Sequence, residues 1–259
     1  IYHSNAGIGV DVYVFDTGID SKNPNLQNLN VLKLNDLTNN VVPEGVDPQG
    51  HGSAMAGVVA SETFGVLKKC NLIDLRSVEN SGFSSLSTLL KAMSIAEEHF
   101  RITERPSVFI IPMIMTKNSI LNSALENLSK KIAVIVPAGN QGLDACNFSP
   151  SSCQNKSNVL VVGSLDKSDE LAPFTNYGSC VDVFTSGTEV TTLSHTDLSQ
   201  RSLITQVNGT SVSCAIGGGV VGYYMSLGLN SSEAIQKVKD VSYYHDEIKK
   251  DYKVLQLKL

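Results

Sequence analysis

Short, near-continuous runs of apolar, β-prone residues recur along this chain, and stretches of helical period separate them. No other feature restricts the fold as much. The runs cover residues 10–15, 72–78, 108–113, 132–136, 159–162 and 181–184. A strand that is apolar on both faces must be covered on both faces, which is the condition of a parallel sheet lying between helices. The intervening segments supply those helices. In residues 86–100, Leu86, Leu89, Leu90, Met93 and Ala96 fall at helical spacing. Residues 119–131 carry Leu121, Leu125 and Leu128 on one side, and residues 232–238 read as a surface helix. The polar, aperiodic residues 193–205 read as an exposed loop. No repeat and no Pro/Gly/Ser linker divides the 259 residues, so residues 1–259 are expected to form one α/β domain, a mostly parallel sheet in three layers.

Charge and composition narrow the function classes. A formal net charge of −5 with no basic block excludes the phosphate-binding stripe that nucleic acid requires. The longest apolar run, residues 108–115, is broken by Pro112 and falls far short of the roughly 20 residues of a spanning helix. The five cysteines, Cys70, Cys146, Cys153, Cys180 and Cys214, include no C-x-x-C pair, which argues against thiolate zinc. Asn-x-Ser/Thr triplets at Asn127, Asn147, Asn155, Asn208 and Asn230 suit a secretory route. A start at Ile1 without a leader reads as a processed or excised chain.

Four polar residues stand where an α/β sheet presents its ligand site, at strand ends and helix starts. Asp16-Thr17-Gly18 follows the first apolar run; Asp16 is a turn or cap residue, or the carboxylate that orients a histidine. An aspartic-protease site needs a second such carboxylate motif, and none is present. His51 lies between two glycines, as a loop residue or as a base. Asn140 ends the run 132–136 after Pro137-Ala138-Gly139, where its amide could donate to an oxyanion. Ser211 opens a helix of small residues, as an N-cap or as a nucleophile favoured by the helix dipole. Gly217, Gly219 and Gly222 match G-x-G-x-x-G only literally, because no strand precedes them.

The order Asp16, His51, Asn140, Ser211 resembles that of the subtilisin family, and the resemblance spans nearly the whole chain. Val14-Phe15-Asp16-Thr17-Gly18-Ile19, Gly50-His51-Gly52 with Ala56-Gly57, Ala138-Gly139-Asn140 and Gly209-Thr210-Ser211 are similar to its four motifs. Residues 144–150 and 174–184 are similar to the fungal proteinase K and cerevisin branch. The resemblance implies a subtilisin-like fold and a serine endopeptidase that needs no cofactor for its chemistry. Ser211 would be the nucleophile, His51 the base, Asp16 its orienting carboxylate, and Asn140 with the Ser211 N–H the oxyanion hole. Gly82, Met113, Ile114 and Gly139 would meet the substrate.

By the same resemblance the partners are peptide or protein substrates and an inhibitory propeptide. The protein would be a monomer in a secretory, vacuolar or extracellular setting. Cys146 and Cys180 would pair, leaving Cys70, Cys153 and Cys214 as thiols. Ser149-Pro150 would be cis. Asp182 stands where proteinase K has a calcium carboxylate, and a hydrogen-bonded structural Asp fits the position equally. The N-terminal stretch before the Asp16 strand is short for the family.

Three departures bear on activity. Ser53-Ala54 replaces the usual Thr-His after His51-Gly52, and the helix after Ser211 lacks its proline. Pro112-Met113-Ile114 stands where the substrate strand has Ser-Leu-Gly, which removes a backbone donor and adds a side chain at the pocket. The expected result is a pocket for small side chains only. The alternative is a subtilisin-fold protein that binds without efficient hydrolysis.

Overall fold

The computed structural model describes residues 3–153, 158–194, 203–246 and 251–258. In chain order the first half contains β1 (Asp11–Asp16), β2 (Asn30–Asp36), α1 (His51–Ala60), β3 (Asn71–Arg76), α2 (Leu86–Thr103), β4 (Ser107–Ile110), β5 (Met115–Thr116) and α3 (Ser119–Leu128). The second half contains β6 (Ala133–Pro137), β7 (Phe148–Ser149), β8 (Val159–Leu165), β9 (Val183–Ser186), β10 (Val190–Leu193), β11 (Ile204–Val207), α4 (Thr210–Ser226), α5 (Ser231–Val241), β12 (Tyr243–Tyr244) and β13 (Lys253–Val254). Nine strands form one sheet in the order β12-β13-β9-β8-β6-β4-β1-β3-β2, parallel throughout except for the β12–β13 pair.

Alternate side chains of β1 show why its sequence is apolar throughout. Val12 and Val14 face a core built with α1, α4 and α5, while Tyr13 and Phe15 face a second core built with α2 and α3. The sheet is the middle of three layers. Helix α4, which begins beside the candidate nucleophile, lies close against it: a Cβ on Gly218 would come within 2.5 Å of Ile110 Cδ1, so the glycine lets the helix rest on that side chain without displacing it. Ser85 caps α2 by accepting from Thr88 N, and Asn230 with Glu233 forms a capping box on α5.

Several expected boundaries move. The run at 108–113 is strand only to Ile110, because Ile111 N still bonds Ile135 O but Pro112 has no N–H with which to continue. The last core strand begins at Val183 rather than 181, and α3 ends at Leu128, beyond which Lys130 and Lys131 make turn bonds to Asn127 O and Leu128 O. The segment 193–205 is not wholly loop. Leu193 ends β10, which pairs antiparallel with β11 from Ile204, while 195–202 lie outside the described residues. The literal G-x-G-x-x-G lies inside α4. Asn127, Asn147, Asn208 and Asn230 are exposed, and Asn155 lies outside the described residues. No single helix among the described residues is long and apolar enough to cross a membrane.

Beneath the carboxyl ends of the strands sits a buried polar layer. The Arg76 guanidinium at the end of β3 has no exposed surface, and it donates to Asp36 Oδ1 at 2.9 Å and to Thr17 O at 2.8 Å. Asp74, two residues earlier, leaves Oδ1 without a partner. Burial pushes the Asp74 carboxyl from its ordinary 3.8 up to about 8, with Lys33 opposing and Asp47 adding to the rise. Between those two values the folded chain keeps a proton that the unfolded chain releases, so stability falls as pH rises and the whole penalty is present above about 8. Asp74→Asn removes the titration. In thermal melts from pH 4 to 9, the Tm difference between variant and native protein is expected to grow steadily in the variant's favour, and a pH-independent difference would refute the assignment.

Candidate active site

Asp16 is the last residue of β1 and is 1% exposed. A carboxylate this deep must find donors. Thr17 N supplies one at 2.7 Å, and His51 Nδ1 lies 2.8 Å and 2.9 Å from the two carboxylate oxygens. This contact places the ring proton on Nδ1 and leaves Nε2 as the free acceptor of the neutral imidazole. His51 is the first residue of α1, and the helix can reach the Asp16 turn because a Cβ on Gly52 would stand 2.1 Å from Gly18 O. The charge of Asp16 raises the His51 pKa above its ordinary value; burial opposes the rise, and the hydrogen bond to Asp16 and the charge of Asp47 add to it.

Ser211 is the second residue of α4, in the first turn, where backbone N–H groups have no intrahelical acceptor. Its hydroxyl donates to Pro112 O at 2.8 Å rather than to His51. Proline therefore removes an N–H here but keeps the group that faces the site, its carbonyl. Asn140 follows the end of β6 and is exposed, with its orientation set by α4: its Oδ1 accepts from Thr210 N and from Thr210 Oγ1, both at 2.8 Å. Thr210 Oγ1 in turn accepts from Gly139 N at 3.1 Å. With the carbonyl oxygen held, the Asn140 amide nitrogen is the end left to donate.

Asp16, His51, Gly82 and the segment Pro112, Met113 and Ile114 line one cleft of about 200 Å³. Gly82 stands on its exposed rim with φ +80°, its N–H turned back to Glu79 O. Ile114 reaches Gly139: a Cβ there would stand 2.6 Å from Ile114 Cδ1, so the isoleucine fills the space beside the backbone that carries Asn140. Asp16, His51, Gly82, Met113 and Ile114 thus line the cleft, and Ser211, Asn140 and Gly139 join it through Pro112, Thr210 and Ile114. Thr210 is visible in the sequence only as part of the serine motif, and Asp47 only as a lone acid before His51.

Cys146 and Cys180 form a disulfide, and Cys70, Cys153 and Cys214 are buried thiols. The Ser149–Pro150 bond is cis. Asp182 does not fit a calcium ligand. Its Oδ2 accepts from Val161 N at 2.9 Å and its Oδ1 pairs with the Lys239 ammonium at 3.1 Å, which blocks the approach of a second cation. The donor set is that of a structural carboxylate.

The sequence pattern described as the Subtilase family matches residues 7–242. Subtilisin-like protease 2 of Pseudogymnoascus destructans is 32% identical over 235 residues, covering 90% of this chain and 56% of its own length. Proteinase R of Parengyodontium album is 31% identical over 230 residues, covering 88% of this chain and 56% of its own length. The chain thus spans about half the length of these curated relatives. A solved cold adapted subtilisin-like serine proteinase superposes with TM-score 0.87 at 25% identity, covering 100% of this chain and 93% of that one. Family pattern, relatives and fold agree with the residue order read at the start, and this chain belongs to the subtilase family.

Proposed function

We propose that the chain is the peptidase domain of a serine endopeptidase acting through Asp16, His51 and Ser211. The observation that carries this reading is the double contact of His51 Nδ1 with the buried Asp16 carboxylate, at the wall of the cleft that Pro112, Met113 and Ile114 line. Ser211 Oγ, rotated from Pro112 O toward His51 Nε2, attacks the scissile carbonyl while the imidazole takes its proton. His51 then returns the proton to the leaving amine, and Asp16 stabilises the imidazolium throughout. Asn140 Nδ2 and the Ser211 N–H donate to the oxyanion. Water hydrolyses the acyl-enzyme by the same steps in reverse order. The Pro112 carbonyl, once Ser211 has left it, accepts a substrate N–H. Peptides and an inhibitory propeptide are the partners, in a secretory or vacuolar compartment, and the whole chain serves this one activity.

A second reading, a fold that binds without cutting, rests on the Ser211–Pro112 bond, which holds the nucleophile away from its base. A fluorophosphonate probe separates the two. The native protein is expected to label, and Ser211→Ala to lose labelling and roughly 10⁶ in turnover, a magnitude taken from subtilisin itself. Folded native protein that neither labels nor cleaves a peptide library would refute the protease.

Ile114 fills the space beside Gly139, so side chains at the cleaved position are expected to be small. Ile114→Gly opens that space and should shift kcat/KM in a peptide library toward large apolar side chains by roughly 10-fold or more. An unchanged preference would exclude Ile114 as the determinant.

A further inference from the structure

Helix α1 begins at the residue whose placement matters most, and it begins without a side-chain cap of its own. Its N-cap is Gly50, at φ +95°, with no side chain to accept from the first turn. Uncapped helix starts leave N–H groups unsatisfied and fray. Here every one of them is satisfied from outside the helix. His51 N donates to Gln49 Oε1 at 2.8 Å, and Gly52 N to Thr17 Oγ1 at 3.0 Å. Gly50 N and Ser53 N both donate to Asp47, each at 2.8 Å.

Asp47 is 4% exposed and accepts five hydrogen bonds. Its Oδ1 takes Thr17 Oγ1, Gln49 N and Gly50 N; its Oδ2 takes Ser53 N and Ser53 Oγ. Thr17 is the residue after Asp16, and Ser53 Oγ also accepts from Asp20 N at 2.9 Å. One carboxylate therefore ties the turn that follows Asp16 to the first turn of the helix that starts at His51, and its charge sits favourably at that helix's N-terminus.

We propose that Asp47 is a positioning residue of the triad: it fixes the turn after Asp16 and the start of α1 in one frame, and so sets the His51–Asp16 contact. The proposal rests on His51 being the base. Without Asp47, the first turn of α1 would lose two of its external acceptors, and the imidazole, carried on that turn, would lose its fixed distance to Asp16. Asp47 also acts on the ring directly, because its negative charge favours the imidazolium.

The other charged or titratable groups in this region keep their places when Asp47 is replaced, although loss of its charge eases the upward push on the Asp74 carboxyl. They are Asp16 and the buried Cys214 thiol beside it, Asp20 beyond the turn, and Asp74 and Arg76 on β3.

Asp47→Asn keeps the shape and one acceptor oxygen but removes the charge. With ¹³C-labelled histidine, the His51 ring is titrated by NMR in the native and variant proteins. The midpoint is expected to move to lower pH in the variant, because both the Asp47 charge and a fixed Asp16 contact favour the protonated ring. The acid limb of fluorophosphonate labelling should move the same way. A residue that only stabilises the fold would lower Tm and leave the midpoint in place, and that outcome in a folded variant overturns the proposal. Failure of the native protein to label bears on the protease alone, since the ring titration is read without it.

If Asp47→Asn does not fold, Ser53→Ala removes one donor to Asp47 and leaves both charges. It is expected to speed exchange of the His51 Nδ1 proton with water and to slow labelling by about 10-fold. Native-like exchange would overturn the proposal equally.

Discussion

A charged carboxylate buried at the carboxyl end of a central strand must be satisfied locally, and the satisfaction of Asp16 organises the residues around it. Water is excluded, so the donors have to come from the chain itself: the N–H of the next residue and the imidazole of His51. That requirement holds α1 against the turn after β1, which in turn demands a glycine at position 52. The sheet order then determines what faces the pair. Strand β4 adjoins β1 and delivers Pro112, Met113 and Ile114 from its end, and β6 adjoins β4 and delivers Gly139 and Asn140. Parallel strands put all these ends on one edge, which is why residues from distant parts of the chain share one cleft.

The second half of the chain is fixed to the first by a different set of contacts. Helix α4 packs over the sheet with the glycine at 218 lying directly on the Ile110 side chain of β4. Thr210 in that turn binds Asn140 and Gly139, and Ser211 binds Pro112, so one helix start is bonded to the segments following both β4 and β6. Ser211 and Asn140 are thereby held by the same turn. A displacement of α4 would move both together.

The parts of this architecture that could be read in the sequence are those in which burial leaves one choice of residue. Strands β1, β4, β6 and β8 are covered on both faces, so their letters are apolar in unbroken runs. The edge strand β2, with Asn30, Lys33 and Asp36 among its residues, and the short pair β10–β11 have solvent on one side and carry no such run. The candidate site was legible through the order of Asp16, His51, Asn140 and Ser211 and the glycines that flank them. Contacts between side chains far apart in sequence were not. Nothing in the letters says that Ile114 reaches Gly139, that Lys239 pairs with Asp182, or that Asp47 rather than a capping serine holds the start of α1.

Pro112 shows how far a substitution read from letters can mislead when only one of its two polar groups is considered. Loss of the N–H ends β4, but the carbonyl remains and accepts from Ser211 Oγ at 2.8 Å. A carbonyl oxygen has two lone pairs, so in the proposed mechanism a peptide amide that reaches Pro112 O weakens the bond from Ser211 rather than excluding it. That weakening is what would let Ser211 turn toward Nε2 of His51 in the proposed mechanism. In that mechanism the two hydrogen bonds to Pro112 O are near-equal in strength, each worth about 1 kcal/mol net. Against so small a difference, the fixed Asp16–His51 contact is the part of the proposed triad that is already set in place.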